Sequence, residues 1–558
     1  MSSIIKDFWN TILNRKSFYI PLSIISLMGY GFSLFNRTIG WDDLLRDHYF
    51  GSGNISLSGR WGMVAWVKLL GFMDFDPFVD RFTALLFLLV ASVLFCILLY
   101  SIKRLESVHP YTITACIFVS YPLINELWEY CGANFFMTGG LALSTMTICL
   151  LRNYQHCNRL LGISGLLLLL PISSYESAIF YYLSLVCMVI FLDNIYYGKY
   201  RNFRSLFKDI CYYVIPIVIA FVLRITISFG IRIVMGLDGT GGGATGIHWL
   251  SNTPLIVLTK MLSDNFIKYM LGALVYFPIT EFLIALLLFT ISIFLFFINK
   301  KKVIVLLYGL VLVLSLFSQA FLQGAALPYR TAQTITLFMA LVAFLLAEKV
   351  VFIQIKTLRI ICYVVLYGVC WHQAGSLNRY LGLNNLRSEN EAFLIRSIGE
   401  RIIRDYDEKP VVFVSPYTYN MWVETRVKIG NDSWNEKMYN TVLEKIYPGG
   451  PLEIITNKSI ETNINSATEE YSQIQDIFSY YGFDINVVGP IEKPHTPGYV
   501  HKDLKLLEEA TKIAKDSNMR PYQIKDMGKY LIVTLSNKPN VILGNKAYFF
   551  DYYDGISK

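Results

Sequence analysis

Charge is scarce in this chain. Only 16% of its 558 residues are Asp, Glu, Lys or Arg, against roughly 25% in an average soluble protein. With 54% hydrophobic and 15% aromatic residues and a mean hydropathy of +0.45, that deficit excludes an ordinary water-soluble globular protein. Cysteine is missing from the whole polar C-terminal third. The nine cysteines, Cys96, Cys116, Cys131, Cys149, Cys157, Cys187, Cys211, Cys362 and Cys370, sit mostly in apolar runs. No CxxC and no Cys/His spacing occurs, which argues against a disulfide framework and gives no sign of a metal site. There is no basic tail and no arginine-rich helix. The net charge of +8 is modest and belongs in cytoplasmic loops, so no nucleic-acid partner is expected. No small-residue cleavage site closes the first apolar run, which therefore reads as a retained span.

What is present is a series of long apolar runs. A span needs about 20 such residues, and Lys and Arg favour the cytoplasmic side. Runs near 17–35, 82–100, 110–125, 134–151, 160–174, 177–192, 209–230, 281–298, 303–322, 331–347 and 359–376 predict a polytopic α-helical membrane protein of about eleven transmembrane helices. The loops "SIKRLES", "RNYQHCNR", "GKYRNFR" and "NKKK" all fall on one side with the N-terminus, which is thereby assigned to the cytoplasm. Segment 266–277 is expected to be interfacial or re-entrant, because Pro278, Thr280 and Glu281 break the apolar run. An odd number of spans carries the C-terminus across the membrane.

Near residue 380 the composition changes. The β-branched runs "KPVVFVSP", "PLEIIT", "FDINVVG" and "KYLIVTL" alternate with helical patterns such as "NEAFLIRSIGERIIRDY" and "ATEEYSQIQDIFSYYG". This predicts a membrane domain over 1–379 and a soluble α/β domain over 380–558 on the outer side. "GLDGTGGGATG" at 236–246 lacks the Gly-Lys-Ser/Thr ending of a phosphate-binding loop and reads as a flexible outer loop.

On this topology the unusual polar residues gather at one mouth. The first outer loop holds Asp42, Asp43, Arg46, Asp47, His48, Arg60, Lys68 and Arg81. Later loops add Glu126, Glu129, Asn134, Tyr175, Glu176, Asp238, His248, Gln323, Tyr329 and Arg330. Ionisable groups at membrane depth are costly and face a cavity or a partner. Convergent carboxylates and arginines suggest a site for an anionic, lipid-linked ligand. In "WDDLLRDHY" Asp42 and Asp43 share a helix face with Arg46. They read either as helix-capping residues or as a carboxylate pair able to separate in pKa, one member serving as general base. "SGRWGMVAWVKLLGF" reads as an amphipathic interfacial helix, with Trp61, Val64 and Trp66 at the interface. Its Arg60 either snorkels or binds phosphate through its planar fork, and Arg330 in "PYRT" is a second phosphate candidate beside Tyr329. Glu176 in "SSYESA" is either a cap or a substrate ligand. His48 and His248 are isolated, which favours structural roles, although His248 is kept with Glu126, Glu129, Tyr175 and Glu176 among the substrate-binding candidates.

The order "IGWDD", "SGRWG", "SSYESA", "PYRT" across residues 17 to 376 resembles the O-antigen glucosyltransferases of serotype-converting phages and related bacterial loci. The resemblance implies a GT-C-like multi-pass enzyme of the bacterial inner membrane. Undecaprenyl phosphate glucose would be its donor and a lipid-linked O-antigen glycan its acceptor. An acidic residue of the first outer loop, Asp43 or Asp42, would be its base. The periplasmic face would carry the site and the C-terminal domain. The scheme requires no cofactor; a carboxylate-bound divalent metal is compatible with it and not needed. Other readings remain open: a mannosyl- or arabinosyltransferase using the same class of donor, a lipid-linked oligosaccharide flippase, or an O-antigen polymerase.

Overall fold

Asp76 shows how local chemistry sets the helix boundaries. Its carboxylate accepts hydrogen bonds from the backbone N–H groups of Phe78 (2.9 Å) and Val79 (3.3 Å), and Pro77 occupies the first helical position. A capping side chain followed by a residue that lacks an N–H is a strong helix start. In the computed structural model, residues 2–36, 60–72, 76–124, 128, 131–154, 157–199, 203–235, 279–300, 303–323, 333–406, 409–414, 478–479, 481–489, 493–494, 499–517, 519, 523–534, 540–543 and 546–549 are described.

The helices are α1 (Ser2–Phe8), α2 (Lys16–Phe35), α3 (Trp61–Leu70), α4 (Pro77–Ile102), α5 (His109–Ser120), α6 (Cys131–Asn153), α7 (Asn158–Ser174), α8 (Ser177–Tyr197), α9 (Phe203–Met235), α10 (Ile279–Lys300), α11 (Val303–Ser315), α12 (Ser318–Gln323), α13 (Gln333–Val351), α14 (Lys356–Tyr406) and α15 (Leu504–Asp516). Every apolar run predicted as a span contains a helix. Seven of these helices, α2, α4, α6, α8, α9, α13 and the Lys356–Arg379 part of α14, are long and apolar enough to cross a membrane. Shorter apolar helices, including α7, α10 and α11, accompany them. The chain forms two compact units, the first running to Gly382 and the second taking up at Leu383.

In the first unit, α5 and α13 are buried almost all round and pack on each other. The outer helices keep an apolar face uncovered. On α9, Val218, Phe221, Val222, Ile225, Phe229 and Ile233 are exposed at helical spacing. Such a stripe is out of place in water and suits hydrocarbon.

Contacts fix the direction of each helix. The end that carries Lys16, Lys103, Lys199, Lys349 and Lys356 is knitted by buried polar groups. Arg152 of α6 grips Asp193 of α8 with both terminal nitrogens, at 2.9 and 2.7 Å, and donates from Nε to Ser101 of α4 at 3.1 Å. Lys199 bridges Asp193 (3.6 Å) and Asp209 (2.7 Å), and Tyr196 hydrogen-bonds the buried Glu348 of α13. Asp193 is almost wholly buried, so replacing it with the isosteric neutral amide removes the charge from a dry fork. Asp193→Asn is expected to cost about 1.5–3 kcal/mol, read as a lower midpoint of thermal unfolding in detergent.

At the opposite end Arg81 belongs to α4 rather than to a loop. It is buried and donates to the carbonyls of Ser33 (2.8 Å) and Asn36 (2.6 Å) at the end of α2. The sequence counted Arg81 among the cations of an outer loop; its guanidinium instead satisfies carbonyls that α2 leaves unpaired.

The second unit contains a six-stranded sheet ordered β3-β4-β2-β1-β6-β5. The strands are β1 (Val411–Val414), β2 (Asn486–Gly489), β3 (Lys493–Pro494), β4 (Tyr499–Lys502), β5 (Ile524–Asp526) and β6 (Leu531–Thr534). β4, β2, β1 and β6 are parallel, and β3 and β5 are antiparallel edges. A hairpin of β7 (Asn540–Leu543) and β8 (Lys546–Phe549) stands apart from this sheet. Val411–Val414 and Leu531–Val533 are buried at every position, as central parallel strands require. Ile395, Ile398 and Ile402 from the end of α14 join them in the core, as do Leu507, Ala510 and Ala514 of α15. "KPVVFVSP", "FDINVVG" and "KYLIVTL" supply β1, β2 and β6, while "PLEIIT" lies outside the described residues.

Candidate active site

Three motifs that lie far apart in sequence meet at the end of the bundle opposite the lysines. Arg60 immediately precedes α3, and Tyr175 and Glu176 form the break between α7 and α8. Arg224 projects from α9. The break is made by Tyr175, whose extended backbone (φ −151°, ψ 126°) ends α7 before Glu176 opens α8. Glu176 does not cap its helix with its side chain. Its two oxygens go to two arginines instead: Oε2 accepts from Arg60 Nη2 at 3.1 Å and Oε1 from Arg224 Nη2 at 2.9 Å. The Arg60 guanidinium also lies over the Tyr175 ring, 5.3 Å from its centroid, a cation–π contact that fixes the plane of the fork.

Exposure differs across this cluster. The Arg224 side chain is 9% exposed, Glu176 24% and Arg60 42%. Burial raises the pKa of the Glu176 carboxyl, but the charges of Arg60 and Arg224 outweigh it, and the net pKa lies below the ordinary value. The carboxylate is therefore ionised at neutral pH. The cluster brings two guanidiniums to one carboxylate, and Arg60 is its most exposed member. The planar fork of an exposed guanidinium can pair two oxygens of a phosphate.

Helix α3 is held in place by close packing. A Cβ on Gly62 would lie 2.5 Å from Ser173 Oγ and 2.7 Å from the Ser173 carbonyl carbon, so only glycine fits where α3 crosses the end of α7. Gly139 of α6 gives room to Trp66, whose ring a Cβ would approach to 2.9 Å. Trp66 was expected at a lipid interface; it is buried against Gly139 and the ring of Phe87, because α3 docks on α7 and α6. Lys68, on the opposite face, stays exposed. Gly62→Ala is expected to push α3 off α7 and carry Arg60 away from Glu176. The overpacking should cost about 1–3 kcal/mol, checked by thermal unfolding together with the transfer rate.

Of the candidates read from sequence, Arg60, Tyr175 and Glu176 come together. Asp42, Asp43, Glu126, Glu129, His248, Tyr329 and Arg330 lie outside the described residues, as do Arg46, Asp47, His48 and the 266–277 segment. Asn134 is buried in α6, and among the described residues neither amide atom has a hydrogen-bond partner. Arg224 escaped the sequence reading. Its signal was a single arginine in "YYVIPIVIAFVLRITISFG", since an ionisable residue inside a span is a functional candidate by default.

Comparison with curated proteins and with solved structures finds no match. A family model, described as "Glucosyl transferase GtrII", matches residues 31–347, which takes in Arg60, Tyr175, Glu176 and Arg224. The match spans more than half of the 558 residues. This membrane-type chain is thus a glucosyltransferase and belongs to the glucosyl transferase GtrII family.

Proposed function

We propose that the enzyme transfers glucose, with inversion, from undecaprenyl phosphate glucose to a lipid-linked O-antigen glycan at the periplasmic face of the bacterial inner membrane. The observation that carries this reading is the Arg60–Glu176–Arg224 cluster, which sets two guanidiniums, one of them well exposed, beside a carboxylate at the bundle end away from the lysines. By the positive-inside rule the lysine-rich end is cytoplasmic, which puts the cluster on the periplasmic side. About eleven helices then cross the membrane, and the second unit lies in the periplasm.

In the reaction an acceptor hydroxyl attacks the anomeric carbon of glucose from the face opposite the phosphate. Its proton passes to the carboxylate of Asp43, with Asp42 orienting it or exchanging roles. The bond between the anomeric carbon and the phosphate oxygen breaks, and undecaprenyl phosphate leaves with the electron pair. A phosphate needs compensating charge more than a proton as it leaves. Arg60 supplies that charge from a position fixed by Glu176 and Tyr175, and Arg330 with Tyr329 is a second donor to the phosphate. Glu176 thereby acts as a positioning residue, its oxygens already occupied by arginine, and Arg224 holds it from the buried side. Glu126, Glu129 and His248 are the proposed ligands of the sugars.

The test is direct. Purified protein is incubated with donor labelled in the glucose and with lipid-linked O-antigen, and the product is analysed for a new glycosidic bond. Labelled glucose appears in the glycan if the reading holds. Donor that crosses a vesicle membrane without forming a glycosidic product would identify a transporter instead.

A further inference from the structure

A second group of polar side chains lies at the same end of the bundle. Glu281 stands in the first turn of α10. Its Oε1 pairs with His372 Nδ1 at 3.0 Å, and its Oε2 accepts from Gln373 Nε2 at 2.6 Å. Gln373 Oε1 in turn accepts from Ser120 Oγ at 3.4 Å, at the end of α5. Gln373 and Ser120 are fully buried. Both oxygens of Glu281 are thus taken by partners on one neighbouring helix, and a buried amide fixes the carboxylate's orientation.

The last member behaves differently. The His372 side chain is 69% exposed, while that of Glu281 is 20% exposed. With Nδ1 tied to the carboxylate, Nε2 lies on the far side of the ring from Glu281. The surrounding face of α14 is apolar: Ile360, Ile361, Val364, Val365 and Trp371 are all exposed. His372 belongs to the Lys356–Arg379 segment that is long and apolar enough to span a membrane. It stands seven residues before Arg379, or about 10 Å along the helix. An imidazole nitrogen facing hydrocarbon is costly. A lipid headgroup reaching down from the level of Arg379 would offer that nitrogen a polar partner, and the Glu281 counter-charge suits a ring that carries a proton on both nitrogens. Nε2–H is then a donor to an anion.

We infer that Glu281, Gln373 and His372 build a second site that binds the phosphate of a membrane lipid through His372 Nε2. The site lies on helices other than those of the Arg60 cluster, and His372 and Gln373 fall beyond the 31–347 family match. It does not depend on which glucosyl donor the enzyme uses. Glu281 and Gln373 are positioning residues here, and the imidazole alone meets the lipid.

The experiment uses full-length protein in a maltoside detergent, which brings no phosphate of its own. An Arg60→Ala/Arg330→Ala background removes both arginines proposed for the donor phosphate. Undecaprenyl phosphate is titrated and bound lipid is counted by native mass spectrometry, with phosphatidylglycerol and inorganic phosphate as parallel arms. His372→Ala should weaken lipid binding about tenfold, the loss of one charge-assisted hydrogen bond, without lowering the thermal midpoint. His372→Arg should restore binding, and Glu281→Gln should weaken it through the loss of the counter-charge. Undecaprenyl phosphate binding tighter than phosphatidylglycerol marks a polyprenyl site; equal binding marks a general phospholipid site. Binding by His372→Ala equal to its parent, or inorganic phosphate competing as well as either lipid, overturns the inference.

Discussion

Glu176→Ala should be the most damaging single change in the described part of the site, lowering stability and transfer together. The substitution removes the carboxylate that faces Arg224 at 2.9 Å and Arg60 at 3.1 Å. The two halves carry unequal weight. Arg224 is buried, and breaking a buried pair by removing one partner costs up to about 3–5 kcal/mol. Arg60 is 42% exposed, so water screens its half to about 1 kcal/mol or less. Glu176→Gln keeps the shape and one acceptor, and should fall between wild type and alanine. The folded-state pKa of Glu176 is depressed, so its stabilisation is fully present above the unfolded carboxylate value. It is lost as pH falls through the lower folded value. Thermal midpoints measured from neutral to acidic pH should therefore fall more steeply in wild type than in Glu176→Gln. Equal slopes would show that the two arginines do not hold the carboxylate ionised.

The membrane bundle was legible because it rests on few variables. Apolar length and the side on which lysines lie are properties of consecutive residues, and each predicted run contains a helix. Arg60, Tyr175 and Glu176 were legible for a related reason: polar residues at span ends have few roles open to them. Arg224 was hidden because its use depends on which helix lies beside α9, and that is a long-range fact. Trp66 illustrates the same limit. An aromatic on a short amphipathic helix suits a membrane interface, and only the glycine facing it on α6 shows that the ring is buried. At the end of the bundle, the sequence ends a span at 376 and begins a separate helical pattern at 390, where composition changes. The backbone does not register that change: α14 is continuous from Lys356 to Tyr406. Side-chain polarity tells where a helix leaves hydrocarbon, whereas the helix stops only when capping or a breaker ends its hydrogen bonds.

Replacing Asp42 and Asp43 together with asparagine should lower the transfer rate by about 10²–10⁴-fold, the usual contribution of a positioned general base, while leaving the thermal midpoint close to wild type. The two effects separate catalysis from folding. If either aspartate serves only as a helix cap, asparagine replaces it at little cost, because the amide oxygen accepts the same backbone hydrogen bonds. Asparagine cannot accept the hydroxyl proton, so the same substitution removes the base completely. The single variants assign the roles: the base loses most of the rate, and its neighbour, if it orients the hydroxyl, loses a smaller part. A pH profile adds a second readout. A carboxylate base must be ionised to act, so wild-type turnover should decline on the acidic side, and that limb should disappear from the residual activity of the double variant. Residual activity is expected because Arg60 still offers positive charge to the leaving phosphate, and that contribution does not depend on proton transfer. Full turnover in both single variants and in the double variant would remove both aspartates from the mechanism and leave the anion site without its proposed base.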